Sequence, residues 1–380
     1  MNYSAYKPKI TRAAWLVIAL FSVIYAPMAV EYFVHYFTPN TPNLWLTFFT
    51  WVAGAKHTMG AGSTELIQHV VYTKHRIPML FHAAAGGIAI LLCTLQFYAP
   101  FRKKYPQIHR AIGKVFFTIV LISMTGSITF LIKTDVNNSF NGLAFYSQLW
   151  LLALGTLTSA ILGVIAISQG QRKMHQAAMI YCFALLLSAP VLRIEWLFIA
   201  QLFEGITQVV SNLFSALIFG FLVVPCAIAA TRLTDYRKPV TLPESFHIYK
   251  TAYIIVAVLS VIAVVMSVLK YMTSVGGITG FTVCLITVAV GTFACYVAAY
   301  LASLRANNGI AIKEWRIHIL AYLAAPIVFL AFWEALSGFA DNSYEAFKAA
   351  SYTAPATAFT MGYFWMALSR RVKISGKLSL

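Results

Sequence analysis

Residues 252–272 read AYIIVAVLSVIAVVMSVLKYM, an apolar run whose single charge, Lys270, stands near its end. A helix that crosses a bilayer needs roughly 20 such residues, because hydrocarbon offers no partner to unpaired backbone groups. The run has that length. Working outward, the pattern recurs on the C-terminal side at about Phe281–Leu304, His318–Phe339 and Ala354–Leu368. On the N-terminal side it recurs at about Ala13–Phe33, Pro78–Ala99, Ile112–Ile132, Phe145–Ser168, His175–Phe203 and Val210–Ala230. About ten spans with mostly short connections predict an all-α polytopic transmembrane bundle. The 380 residues are 60% hydrophobic and only 10% charged, and no stretch reads as a soluble domain.

The formal charge of +17 would suggest nucleic acid in a soluble chain, but here its distribution matters more than its sum. Lys7, Lys9 and Arg12 precede span 1; Arg102, Lys103, Lys104, Arg110 and Lys114 surround the connection between spans 2 and 3. Arg172, Lys173, Arg232, Arg237, Lys238, Lys250, Arg305, Lys313 and Arg316 follow at every second connection, and Arg370, Arg371, Lys373 and Lys377 form the tail. Alternating helices put all of these on one face. The positive-inside bias then predicts an inner (plasma) membrane protein with both termini cytoplasmic. The excess charge reads as topology plus attraction to anionic headgroups of the lipid bilayer, with no nucleic-acid partner. Span 1 is too long for a signal peptide, and Ala26-Pro27-Met28-Ala29 is a poor cleavage site, so it reads as an uncleaved anchor.

Two connections are long. Thr231–Lys250, with Asp235, Pro239 and Pro243, divides the chain into an N-terminal bundle (1–230, spans 1–6), a cytoplasmic linker (231–250) and a C-terminal bundle (251–380, spans 7–10). The external stretch Thr38–Ile77 carries Leu44-Trp45-Leu46-Thr47-Phe48-Phe49-Thr50-Trp51-Val52, too short to span. It reads as an interfacial helix at the headgroups or as a cap over an external cavity. Spans 5 and 9 share an echo, a basic start with His175 or His318, then Pro190 or Pro326, then Glu195-Trp196 or Trp333-Glu334, which leaves a parallel repeat open. Cys93, Cys182, Cys226, Cys284 and Cys295 all sit in spans and read as small packed hydrophobes.

Ionisable groups inside a bilayer are costly and invite a functional reading. His82, Arg193, Glu195, Glu334 and Glu31 fall at similar depth toward the external ends of four helices, where they are expected to share a substrate- or proton-binding cavity. Structural alternatives stand beside this: Glu31 reaching the interface, and Arg193 pairing with Glu195. Arg193 is the strongest candidate, because a guanidinium at that depth needs an anion. At the opposite ends, His109, His175 and His318 open spans 3, 5 and 9 and are candidate ligands for a b-type haem. The alternative is contact with lipid phosphate. His57, His69 and His75 match no tight zinc spacing, so no metal site is expected, and no nucleotide, hydrolase or zinc-protease motif occurs. Gly86-Gly87 and Gly126 read as points of close helix packing.

Four pieces carry a family likeness: His82…Gly86…Leu95-Gln96-Phe97 with Phe101-Arg102-Lys103-Lys104; His109-Arg110-Ala111-Ile112-Gly113-Lys114-Val115; His175-Gln176-Ala177-Ala178-Met179-Ile180-Tyr181-Cys182-Phe183-Ala184; and Leu192-Arg193. Over about His82–Trp196 the chain resembles the bacterial multi-pass membrane family termed domain of unknown function 2306. The resemblance implies functional weight at His82, His109, His175 and Arg193. One departure is the neutral Gln176-Ala177-Ala178, where that family is usually basic. The His-led helices also resemble those of b561-type cytochromes, although the histidine depths differ. Fold analogy does not assign an activity. Two classes remain: a redox membrane protein with haem b and quinone, and a proton-coupled transporter or small-molecule-binding protein using the His/Arg/Glu cavity. A structural subunit of a membrane complex is a third.

Overall fold

The computed structural model describes residues 3–38, 41–234 and 250–375, and among them every regular element is helical. Helix α1 (Tyr3–Glu31) is followed by four short helices, α2 (Leu44–Ala53), α3 (Ala55–Met59), α4 (Thr64–Ile67) and α5 (His69–Lys74). Next come α6 (Arg76–Phe97), α7 (Ala99–Lys104), α8 (Pro106–Lys133), α9 (Gly142–Ser168), α10 (Arg172–Leu186) and α11 (Ser188–Leu202). The chain continues with α12 (Gln208–Thr234), α13 (Lys250–Ser274), α14 (Gly280–Arg305), α15 (Gly309–Ser337) and α16 (Ser343–Ser375).

Among the described residues eight helices are long and apolar enough to cross a membrane, or nine if α10 and α11, bent by 42° at their junction, form one span. About ten were expected. The tenth expected run, Ala354–Leu368, lies inside α16, which is long but more polar. Its Ser351, Thr353, Thr357 and Thr360 hydroxyls each donate to the carbonyl four residues back, so the helix satisfies its own polar groups. The bulk of the expected linker, residues 235–249, lies outside the described residues, as do Arg237, Lys238 and Lys377 of the charge pattern.

Two compact units emerge, each discontinuous in sequence. Unit 1 comprises the chain up to Asn141 with Leu152–Leu162 and Met179–Ser215. In it α6 packs on α1 and α8. Small residues set those approaches, as read from the sequence. A Cβ on Gly126 would stand 2.6 Å from the Pro78 carbonyl oxygen, and one on Gly87 2.9 Å from that of Ala26.

Unit 2 comprises Gly142–Leu151, Gly163–Ala178 and the chain from Ala216 onward. There α15 packs on α13, α14 and α16. Aromatic rings fill this unit: Trp333, Tyr352, Tyr363, Phe281 and Phe359 are all fully buried. Tyr363 donates to the Ala177 carbonyl at 3.0 Å and meets the Thr231 hydroxyl at 2.8 Å, joining α16 to the start of α10 and the end of α12.

Candidate functional site

Unit 1 carries its own cover. The segment 41–75, read from sequence as an interfacial helix or a cap, folds as α2–α5 and is hydrogen-bonded to helices that arrive much later in the chain. The Leu44 N–H donates to a Glu31 carboxylate oxygen at 2.9 Å, and Asn43 caps the same helix start. A carboxylate at a helix N-terminus is well placed, since it meets both free N–H groups and the positive dipole end. His57 is buried and its Nδ1 lies 2.7 Å from the Ile206 carbonyl. Val209 N–H donates to Gly62 at 3.0 Å, and the Gln201 amide donates to Val52. Gly62 is required here: its φ is +84°, and a Cβ would stand 2.9 Å from that of Thr207.

Beneath α2 and α4 lies a small cavity lined by Tyr32, Trp45, Glu65, Arg193, Trp196 and Gln208, among others, with room for about one water molecule. The Arg193 guanidinium carbon sits 5.4 Å from the Trp45 ring centre and 5.7 Å from that of Trp196, an indole-walled setting that suits a weakly hydrated cation. Arg193 makes one hydrogen bond, to the Ala189 carbonyl at 3.3 Å. Glu65 accepts the Tyr32 hydroxyl at 2.5 Å through one oxygen. Glu65 and Arg193 line the same cavity, yet among the described residues they form no ion pair with each other. Tyr72, on α5, lies within electrostatic reach of both; burial above all, with Glu65, pushes its hydroxyl up to about 12 against the pull of Arg193.

Gln208 completes the ring. It is 3% exposed, and its side-chain oxygen accepts from both the Thr64 N–H (2.8 Å) and hydroxyl (2.9 Å). A backbone N–H can only donate, so the amide orientation is fixed. The NH2 end finds no partner among the described residues and is left to the cavity that Gln208 lines.

The sequence candidates scatter around this centre. His82 stands beside it: its Nδ1 lies 3.2 Å from the Ser123 carbonyl, and Arg193 is near enough to act on the ring electrostatically. Glu195 does not pair with Arg193. Residues two apart on a helix point to different faces, and Glu195 lies against Ser215 on α12 instead. One turn earlier on that face, Asn212 is fully buried with neither end of its amide partnered among the described residues; the Ser211 hydroxyl is in the same state. Buried polar groups of this kind call for water or ligand. Glu31 serves α2. Glu334 belongs to unit 2, is largely exposed, and pairs with Lys270 at 2.7 Å.

The haem candidates also separate. His109, in the first turn of α8, belongs to unit 1; His175 and His318 belong to unit 2. His175 Nδ1 lies 2.7 Å from the Gly163 carbonyl. His318 does not open its helix. Asn308 caps α15 by accepting the Ala311 N–H at 3.2 Å, so the helix begins at Gly309 and His318 lies more than two turns inside, 1% exposed. Beside it stands a cluster that sequence reasoning missed. Glu314, 2% exposed, receives a two-pronged contact from Arg370 (2.8 and 2.9 Å) and a second ion pair from Arg232. In the sequence these arginines stand out only as topology charges.

Glu65, Tyr32 and Gln208 were missed as well. Tyr32 sits next to Glu31, and Glu65 lies in a stretch read as loop; only the fold brings them to Arg193. Among the described residues no group of three metal-ligating side chains occurs. Residues 79–231 match the family model of predicted membrane proteins termed domain of unknown function 2306, in agreement with the sequence resemblance. No curated protein and no solved structure is detectably similar.

Proposed function

We propose that this multi-pass membrane protein binds a small polar molecule in the unit 1 cavity and exchanges it when the segment 41–75 lifts, as a transporter or binding protein of the small-molecule class. The observation that carries this reading is a guanidinium and a carboxylate, Arg193 and Glu65, lining one small cavity without pairing with each other. Opposite charges inside a low-dielectric region attract strongly, so keeping them apart makes sense when something else is meant to stand between them. Ser211 and Asn212, buried and without partners among the described residues, lie on the helix that carries Gln208, and the charge pattern favours an external position for the cavity.

The test is a melting-temperature screen of the detergent-purified protein against small anions, cations, zwitterions and neutral polar compounds. At least one compound is expected to raise the melting temperature, and Thr58→Leu, a larger side chain at a position that also lines the cavity, is expected to abolish the rise by filling the space. A panel with no effect on the parent protein would sink the reading.

A b-type haem held by His175 and His318, both of unit 2, is the second reading. One observation favours it: the His175 Nδ1 contact with Gly163 is the kind of carbonyl contact that orients a ligating imidazole. Oxidised and dithionite-reduced spectra of protein from haem-supplied cells decide it. A Soret band that shifts on reduction supports haem; a featureless spectrum removes it, and with it the quinone partner.

A further inference from the structure

We infer that the molecule taken by the unit 1 cavity is a small zwitterion carrying a carboxylate and an ammonium group, of the α-amino-acid kind. This rests on the binding reading above and adds the substrate class. Among its charged and amide groups the cavity presents two donors, Arg193 and Gln208, and one acceptor, Glu65, and the buried Trp196 indole N–H, without a partner among the described residues, is a further donor. Arg193 uses one hydrogen bond on Ala189 and keeps its remaining N–H groups for an occupant. Gln208 has its oxygen committed twice to Thr64, so it offers only N–H to the cavity. Planar guanidinium and amide N–H groups together suit a carboxylate.

Glu65 supplies the complement. One oxygen is held by Tyr32 and the other has no donor among the described residues. A lone anion would face the Glu65 charge, and a lone cation would face Arg193. A ligand with both charges answers both groups that line the one cavity. In the closed form the space admits about one water, so entry of the zwitterion requires the cover to lift. Thr64, the residue that Gln208 holds, belongs to that cover. Gln208 is therefore a positioning residue that links the occupant to closure.

The experiment compares glycine and alanine with acetate, methylammonium and an equimolar mixture of the two, by melting temperature and by calorimetry on the detergent-purified full chain. Glycine or alanine is expected to stabilise the parent protein, while the single-charge probes, alone or mixed, do not. Glu65→Gln, which is isosteric, and Arg193→Gln, which shortens the side chain and removes its charge, should each abolish the effect. Gln208→Glu, which replaces a donor with an acceptor, should weaken binding by at least about tenfold. Acetate acting as well as glycine, with Glu65→Gln still responsive, would make the ligand a monoanion and overturn the inference. A neutral compound that acts alone, and fails in Thr58→Leu, would do the same while leaving the binding reading intact. No response to any probe, with a single water as the occupant, would overturn both.

Discussion

In unit 2, Glu314 grips Arg232 and Arg370; in unit 1, Glu65 and Arg193 share a cavity and do not pair. The ingredients are alike and the arrangements opposite. Glu314 has both oxygens engaged and almost no exposure, so its charge is spent on holding α12, α15 and α16 together. Glu65 spends one oxygen on a tyrosine and keeps the other. A buried carboxylate clasped by two arginines is a structural joint, whereas the half-buried Glu65 keeps one oxygen toward the cavity it lines. The exposed Lys270–Glu334 pair is a third case, and pairs of that kind contribute little to stability.

The comparison breaks most visibly through charge-removing substitutions in the two places. Glu314→Gln strands two guanidiniums without their carboxylate and should cost about 3 kcal/mol, the low end for breaking a buried pair, since Arg232 keeps some exposure. Arg193→Gln removes no ion pair but loses the two indole contacts, and should cost about 1 kcal/mol in the absence of ligand. Denaturant titration in mixed micelles reads both; equal losses would erase the distinction. Next in size, Gly126→Ala drives a Cβ against backbone atoms of Pro78 and His82 and should cost about 2 kcal/mol. Because it shifts α6 against α8 beside His82, it should also blunt the ligand response of unit 1.

Tyr32→Phe removes the hydroxyl that holds Glu65 and should cost about 1.5 kcal/mol. It sharpens the comparison further: a released Glu65 can swing onto Arg193, so the rise produced by ligand should shrink in addition to the drop in basal melting. The smallest effect concerns His75, at the end of the cover. In the unfolded chain it takes a proton as pH falls through about 6.5. In the folded protein, burial first and then Lys74 and Lys133 hold its pKa lower. The unfolded state thus binds more protons between those values, and stability drops as pH falls through that window. The decline should be shallower in His75→Gln, measured by melting between pH 7 and pH 5.

How much of this was readable beforehand follows from where the signals lie. Long apolar runs are local, so the helices and the close packing at Gly87 and Gly126 were legible. Arg193 was legible because a charge inside such a run has few innocent explanations. Its partners were not. Pairing it with Glu195 followed proximity in sequence, but two residues along a helix is nearly half a turn of the wrong face. Glu65 and Gln208 stand outside or at the edge of the spans, where polar residues are ordinary and carry no alarm. His318 was placed at a helix start because the hydropathy rises there. The turn at Asn307-Asn308, with Asn307 at φ 47°, starts α15 earlier and carries Glu314 and His318 inside.

The stitching of the cover has a consequence in time. Thr64 finds its acceptor, Gln208, 144 residues later in the chain. Ribosomes add about 5–20 residues per second, so roughly 7–29 seconds of synthesis separate the two. During that interval Trp51 and Val70, strongly exposed even in the finished fold, lie on a segment whose anchors at Ile206, Gln208 and Val209 have yet to be made. The site is therefore among the last parts of unit 1 to be completed. A nascent chain halted before Ile206 would carry Arg193 and both indoles, yet the cover could not be fastened over them.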